Sequence, residues 1–253
     1  MSGHSHWSSI KHKKGAADAK RGKIFSKLAR AITSAARQGG GNLEMNIKLQ
    51  YAVDKAKAEN MPKDNIERAI LKGTGELSGD TELFECIYEG YGPGGVAIMI
   101  EILTDNKNRT APEIRKMFEK SGGNLGEPGC VSWMFQKKGM ITVNINDIEE
   151  DRLMTFVLDA GGEDLQVVGD EYQITCDTKD LNNIKNALQK EGINLVSAEI
   201  SMVPTSFIEL NETTGRKVIS LAEALENHDD VQNVYANFEL PEGLLEQLQV
   251  SKS

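Results

Sequence analysis

Residues 139–203 contain the clearest pattern of secondary structure in the chain, and their sequence is GMITVNINDIEEDRLMTFVLDAGGEDLQVVGDEYQITCDTKDLNNIKNALQKEGINLVSAEISMV. Its hydrophobic periodicity predicts a strand, a helix, two strands, a helix and a strand. We expect these elements at 139–145, 148–160, 163–168, 171–176, 178–191 and 194–203. The order β-α-β-β-α-β is that of the ferredoxin-like fold, so the sequence predicts an internally complete lobe over residues 138–203.

A second α+β lobe is expected to surround this insertion. Upstream, apolar alternation and glycine turns predict a hairpin and a helix, at 85–91, 95–103 and 109–120. Downstream, the pattern predicts a strand, a helix and a strand, at 206–210, 218–227 and 231–238. The downstream part has too little apolar surface to fold alone, so it is expected to complete the upstream sheet. We therefore predict one discontinuous lobe, residues 81–137 plus 204–240.

The N-terminal part is predicted to be a helical bundle over residues 15–80. Its helices are expected at 18–37, 45–59 and 63–72. The glycines at 39–41 end the first helix, and Pro62 stands at the start of the third. Residues 1–14 lack periodicity and are predicted to form a flexible basic arm, and residues 241–253 a C-terminal tail. The predicted fold class is a multidomain α and β protein, in which a three-helix bundle precedes two α+β lobes, one ferredoxin-like and inserted in the other.

Charge is divided unevenly along the chain. Residues 1–40 carry nine lysines and arginines against the single acid Asp18, a net charge of +8. The whole chain carries −9, so residues 41–253 carry −17. An acidic body repels polyanions, so a basic segment on such a body indicates a dedicated polyanion contact, with nucleic acid as the predicted partner. The alternative is a solvated face that keeps the protein soluble.

The first predicted helix has two distinct faces at helical spacing. One carries the cations Lys20, Lys23, Lys27, Arg30 and Arg37, which are expected to face solvent. The other carries the packing residues Ile24, Leu28, Ala31, Ile32 and Ala35. Arg21 falls inside the apolar arc, at the edge of the expected packing surface.

Candidate nucleic-acid-binding residues come from the arm and from this helix. They are His4, His6, Trp7, Lys11, His12, Lys13, Lys14, Lys20, Arg21, Lys23, Lys27, Arg30 and Arg37. The cations would neutralise phosphates, and the Trp7 indole would stack on an exposed base unless it folds back onto the bundle. The histidines would hydrogen-bond nucleic acid or lie in solvent, since His-x-His without a Cys or carboxylate is poor evidence for a metal site.

A second contact is conceivable at the predicted helix near residue 109. Lys107 and Arg109 lie at its start, where backbone amides and the helix dipole favour anions. The alternative is that Asp105 and Asn106 simply cap the helix.

Several classes of protein are disfavoured by the sequence. No serine or cysteine has the context of a nucleophile, and no glycine loop has the spacing of a P-loop, so neither an enzyme nor a cofactor is predicted. Three widely spaced cysteines indicate neither a disulfide framework nor a zinc site. No apolar run is long enough to cross a bilayer, and the polar, lysine-rich N-terminus lacks a secretory signal. We expect a cytoplasmic protein without a metal, a membrane or a small-molecule substrate.

Seven collinear segments resemble one family. They are GHSHW (3–7), IKHKKGAADAKRGKIFSKL (10–28), GGGN (39–42), YEGYGPGG (88–95), DNKNRT (105–110), SGGNLG (121–126) and VSWMFQKKG (131–139). Together they are similar to the YebC/PmpR family, which includes bacterial probable transcriptional regulatory proteins and the mitochondrial translational activator of cytochrome c oxidase subunit I.

The resemblance implies a three-lobed architecture and a non-enzymatic role in gene expression. It leaves two molecular roles open: a DNA-binding transcriptional regulator, or a ribosome-associated factor that binds ribosomal RNA and relieves stalls such as those at consecutive prolines. A single basic helix without evident dimer symmetry is a poor reader of palindromic operators, and an arm bearing Trp7 suits irregular RNA. The predicted partners are nucleic acid and, in the second role, the ribosome; the chain is expected to be a monomer.

Overall fold

The computed structural model of the protein describes residues 18–77, 82–241 and 244. The predicted arm at 1–14 and most of the predicted tail at 241–253 lie outside these residues. The elements, in chain order, are α1 (Asp18–Gly39), α2 (Ile47–Ala58), α3 (Lys63–Gly73), β1 (Phe84–Tyr91), β2 (Ala97–Thr104), α4 (Lys107–Lys120), β3 (Asn124–Leu125), β4 (Phe135–Asn144), α5 (Glu150–Asp159), β5 (Gly162–Val168), β6 (Glu171–Cys176), α6 (Leu181–Lys190), β7 (Leu195–Pro204), β8 (Ile208–Glu209), α7 (Glu212–Glu226), β9 (Val231–Ala236) and β10 (Phe238–Glu239).

Helices α1, α2 and α3 form the expected bundle. Gly40, at φ 81°, ends α1 with a backbone conformation that glycine adopts without strain. The Asn46 side chain begins α2 by accepting a hydrogen bond (3.0 Å) from the backbone N–H of Leu49. The apolar faces of the three helices share one core, which includes Leu28, Ile32, Ala35, Leu49, Val53, Ile66 and Ala69.

The second lobe is built around a four-stranded sheet of order β3-β1-β2-β9. Strands β1 and β2 pair antiparallel along their whole length, and β9 pairs antiparallel with β2 although about 130 residues separate them in the chain. Helices α4 and α7 contribute to the core on one face of this sheet, which includes Ile98, Ile100, Ile102, Ile114, Phe118, Val218, Leu221 and Leu225. The downstream segment therefore completes the upstream sheet, as predicted.

The inserted lobe is ferredoxin-like. Its sheet has the order β5-β6-β4-β7 with every neighbouring pair antiparallel, and α5 and α6 provide the remainder of its core. Strand β4 leads into this lobe and β7 leads out of it, paired from Phe135 opposite Pro204 to Val143 opposite Leu195. The predicted fold class is confirmed: a helical bundle and two α+β lobes, one inserted in the other.

Element limits differ from prediction in a few places. Helix α7 begins at Glu212, six residues before the predicted start at Val218, because Asn211 caps it by accepting from the N–H of Thr214 (2.9 Å). Helix α4 begins at Lys107 behind the cap Asn106, and the predicted strand at 206–210 is only the two-residue β8. The limits of the three domains stay a prediction.

The bundle contacts both lobes through polar side chains. On α2, Lys55 Nζ lies 3.0 Å from Glu199 Oε2 of the inserted lobe, and Asp54 Oδ2 lies 2.7 Å from Lys185 Nζ. On the other lobe, the Glu85 carboxylate of β1 accepts hydrogen bonds from Ser34 and from Lys48. Among the described helices, none combines the length and the hydropathy needed to cross a membrane.

Candidate nucleic-acid interface

The predicted interface is only partly within the described residues. His4, His6, Trp7, Lys11, His12, Lys13 and Lys14 lie outside them, so their role stays a prediction. Lys20 lies in the first turn of α1. Arg21 and Lys23 are exposed, whereas Lys27, Arg30 and Arg37 are half-buried.

The apolar face of α1 is placed as expected. Leu28, Ile32 and Ala35 are buried, and Ile24 packs against the same core from the first turns. Arg21 belongs to the predicted apolar arc yet is exposed, because α1 at this point has not reached the packing surface that begins with Ile24.

The positive face of α1 lies against an acidic turn that joins α7 to β9. Lys23 Nζ is 2.9 Å from Asp229 Oδ1, and Lys27 Nζ donates a hydrogen bond (2.6 Å) to the backbone carbonyl of Glu226. Glu226 is the last residue of α7, where carbonyl groups lack partners within the helix and the helix dipole favours a cation. Lys27 therefore acts as a cap for α7.

Arg30 continues the same contact one turn further along α1. Its Nη1 donates to Asp230 Oδ1 (2.9 Å) and to the backbone carbonyl of Asp229 (3.3 Å). Its Nη2 donates to the carbonyl of Leu103 at 2.9 Å. The expectation that Lys27 and Arg30 face solvent is therefore wrong. Helical periodicity identified a charged face but not the acidic turn that covers it, which lies about 200 residues later in the chain.

Asp230 is the centre of this contact. Its side chain is 2% exposed, and its Oδ2 accepts hydrogen bonds from Thr110 (2.6 Å), Arg109 (2.7 Å) and Thr104 (3.0 Å), all within the second lobe. Burial alone would raise the pKa of the Asp230 carboxyl, but these hydrogen bonds and the one from Arg30 outweigh burial and hold the pKa well below its ordinary value. The carboxylate is thus charged and shared by two guanidinium groups.

In the predicted second contact, Arg109 is likewise engaged by side chains of the protein itself. Arg109 Nη2 bonds to Asp105 (2.9 Å) as well as to Asp230. Asn106 caps α4 by accepting from the N–H of Arg109 (3.1 Å), so the capping alternative is confirmed for Asn106, while Asp105 pairs with the arginine instead. Lys107 is exposed, with its ammonium 5.0 Å from the centre of the Phe84 ring.

His228 lies in the same acidic turn, and its two ring nitrogens contact residues on either side of it in space. His228 Nδ1 accepts a hydrogen bond (3.1 Å) from the backbone N–H of Asp230, and its Nε2 lies 3.0 Å from Glu113 Oε2. Within residues 18–77 and 82–241, no group of three or more His, Cys, Asp and Glu side chains is placed to hold a metal ion.

Two exposed features escaped the sequence reasoning. Helix α4 presents Arg115, Lys116 and Lys120 to solvent, and Lys116 and Lys120 follow Arg109 on one flank at helical spacing. A helical wheel of residues 107–120 would have found that flank. The second feature is Trp133, an exposed indole in a short loop before β4 that no periodicity reveals.

Two family models match the chain and together account for most of it. Residues 5–76 match the TACO1/YebC protein N-terminal domain, and residues 83–238 match the TACO1/YebC second and third domain. The border between the two matches coincides with the region between α3 and β1.

Curated proteins and a solved structure are similar over nearly the full length. A probable transcriptional regulatory protein of Syntrophus aciditrophicus is 52% identical over 98% of this chain and 99% of its own. One of Desulfotalea psychrophila, with the same description, is 54% identical over 98% of this chain and 99% of its own. The crystal structure of a conserved hypothetical protein from Aquifex aeolicus superposes with a TM-score of 0.85 at 49% identity, covering 94% of this chain and 98% of that one. The three-lobed fold, the two domain matches and these relatives place the chain in one group: it belongs to the TACO1/YebC family.

Proposed function

We propose that this protein is a non-enzymatic regulator of gene expression that binds nucleic acid through its basic N-terminal segment. The observation that carries the proposal is the charge division, +8 in residues 1–40 against −17 in the remainder. The curated relatives are described as probable transcriptional regulatory proteins, which supports a regulatory role and makes DNA the first candidate partner.

The contacts between α1 and the second lobe reduce the number of residues that we propose to bind phosphates. Lys27 and Arg30 fix α1 on the second lobe, so we assign them to positioning the helix rather than to phosphates. Lys23 is exposed although it pairs with Asp229, and an exposed pair of this kind is weak enough for a phosphate to compete with it. The proposed contact is therefore the arm, with Lys11, Lys13 and Lys14, followed by Lys20, Arg21 and Lys23 on the first turns of α1.

A charge-matched pair of variants tests this proposal. Replacing Lys11, Lys13 and Lys14 by glutamine should weaken binding to duplex DNA or to structured RNA in a gel-shift assay. The plot of log affinity against log salt has a negative slope, and each lost phosphate contact should make that slope less steep by about 0.9 for duplex DNA. Replacing the exposed Lys63, Lys179 and Lys190 by glutamine removes the same charge elsewhere and should leave the slope unchanged.

Equal losses in both triple variants, or a wild-type protein that binds neither polymer, would overturn the proposal. Crosslinking in cells followed by sequencing of the bound nucleic acid identifies the partner. Promoter DNA indicates the transcriptional role, and a predominance of ribosomal RNA indicates the translational role.

A further inference from the structure

Trp133 is 71% exposed, which is unusual for a side chain that normally buries most of its large apolar surface. It lies in a single 3-10 turn, Ser132–Met134, just before β4. Among the described residues from 124 to 138, it is the one large hydrophobic side chain left exposed. The ring is therefore accessible to a ligand.

The loop that carries Trp133 is held firmly. Glu89 of β1 is 6% exposed, and its carboxylate accepts hydrogen bonds from the backbone N–H groups of Gly129 (2.8 Å), Val131 (2.8 Å) and Ser132 (2.7 Å). Burial alone would raise the pKa of Glu89, but these hydrogen bonds outweigh it and lower the pKa. Val131 and Phe135, two residues before and two residues after Trp133 in the chain, are buried. The ring is thus exposed on a fixed support.

The polar edge of the indole is already used. Trp133 Nε1 donates to the backbone carbonyl of Cys130 at 3.1 Å, and the Tyr91 hydroxyl donates to the same oxygen at 2.9 Å. The ring is therefore oriented before any ligand arrives, and ordering it costs the ligand little entropy. What it offers is an aromatic face without a free hydrogen-bonding group.

We propose that Trp133 is a stacking platform for an unpaired base of single-stranded nucleic acid, an inference that rests on the proposed function. Every base has a π-face, so a ring without a free polar atom binds bases with little sequence preference. Lys137, four residues later in the chain, is exposed and adds a cation to this segment. Residues 128–140 carry two lysines and no acid, so this segment, unlike the acidic body as a whole, does not repel a polyanion.

The test uses the full-length protein, a fluorescein-labelled 12-nucleotide oligouridylate and a 12-base-pair DNA duplex. Trp133→Ala should weaken binding of oligouridylate roughly 5- to 150-fold, which is the effect of losing one stacked base. Binding of the duplex should change less than about twofold, since its bases are already stacked. Trp133→Phe, which keeps a ring, should retain most of the affinity.

Leu158→Ala is the matched control, because Leu158 is 61% exposed on the inserted lobe and should not affect binding. The chain has two tryptophans, so Trp7→Phe leaves Trp133 as the single tryptophan, and unlabelled oligouridylate should quench its selectively excited emission. The inference is overturned if the wild-type protein binds oligouridylate and Trp133→Ala binds it equally well, or if the wild-type protein binds the duplex alone. A wild-type protein that binds structured RNA but not oligouridylate likewise overturns the inference, whereas one that binds neither these probes nor structured RNA refutes the proposed function itself.

Discussion

Asp230 joins three distant parts of the chain through one carboxylate. It accepts from Arg30 of the bundle and from Arg109 and Thr110 of the second lobe, and it is almost fully buried. The sequence did not predict this role, because Asp230 lies in a short polar turn, where an acidic residue is ordinary. Periodicity reports which face of a helix is charged, and only the folded chain shows what that face meets.

Removing the negative charge of Asp230 should destabilise the folded protein. We expect Asp230→Asn to lower the free energy of unfolding by about 1–3 kcal/mol, since it leaves the half-buried Arg30 and the exposed Arg109 without their shared anion. Asp229→Asn, at the neighbouring position that is 74% exposed, should change it by less than about 1 kcal/mol. Urea unfolding of both variants measures the difference. Equal, small effects would show that the buried pair contributes nothing.

The same variant should alter the response to acid. A carboxyl whose pKa is lowered by folding stabilises the folded state above its unfolded pKa of about 3.9 and loses that contribution as the pH falls through the folded pKa. The wild-type protein should therefore exceed Asp230→Asn in free energy of unfolding by a constant amount above about pH 5, and this difference should shrink as the pH falls below about 4. Unfolding curves at stepped pH measure it, and an advantage that grows in acid contradicts the assignment.

At the scale of elements, two glycines differ in how closely the structure packs around them. One lies where α1 meets α3, and the other lies on the exposed surface of α1. An added Cβ at Gly73 of α3 would lie 2.5 Å from the carbonyl oxygen of Thr33 and 2.6 Å from Ala36 Cβ, so α1 and α3 approach closely only because this residue lacks a side chain. Gly22 of α1 is exposed, and an added Cβ there would meet nothing within 4 Å in the part of the chain that the structure describes, apart from its own helix backbone and chain neighbours.

These two glycines should respond oppositely to the same change. Gly73→Ala should destabilise the bundle by about 1–3 kcal/mol through overpacking against backbone. Gly22→Ala should stabilise it by about 0.5–1 kcal/mol, because alanine loses less conformational freedom in a helix. Thermal and urea unfolding of the two variants provide the comparison. Stabilisation by both would mean that α1 and α3 separate at little cost.

Element type was more predictable than element limits. Alternation and helical spacing identified the hairpin of β1 and β2 and all of the inserted lobe, because their apolar residues face well-defined cores. The start of α7 was predicted too late, since its first turns, ETTGRK at 212–217, carry no apolar residue to mark them. Gly215 lies there because an added Cβ would meet Leu244 at 2.9 Å and Leu240 at 3.1 Å.

At the scale of the molecule, the order of elements was sufficient to predict the insertion, but not how the bundle docks. The β-α-β-β-α-β order and the apolar-poor downstream segment both follow from local pattern. The contacts of Lys55 with Glu199 and of Lys185 with Asp54 join exposed or half-buried polar residues, whose pairing no single-sequence pattern specifies. The contacts of Lys27 and Arg30 corrected the predicted geometry of the candidate site, and the nucleic-acid-binding role of its residues stays a prediction.

The inserted lobe should fold by itself. Its fully buried core residues, among them Ile141, Leu153, Ile174 and Leu188, all come from its own elements, and its two ends lie side by side where Phe135 pairs with Pro204. Residues 135–204 expressed alone should give a cooperative thermal transition and dispersed amide signals in NMR spectra. A chain that unfolds without a transition would show that the lobe depends on the bundle.

The separation between Arg30 and Asp230 also has a consequence during synthesis. The two residues are 200 positions apart. At about 5–20 residues per second, a ribosome needs roughly 10–40 s to reach the second after making the first. Throughout that interval the nascent bundle carries its cations without the acidic turn that later covers them. A prematurely terminated chain would keep that helix face permanently bare.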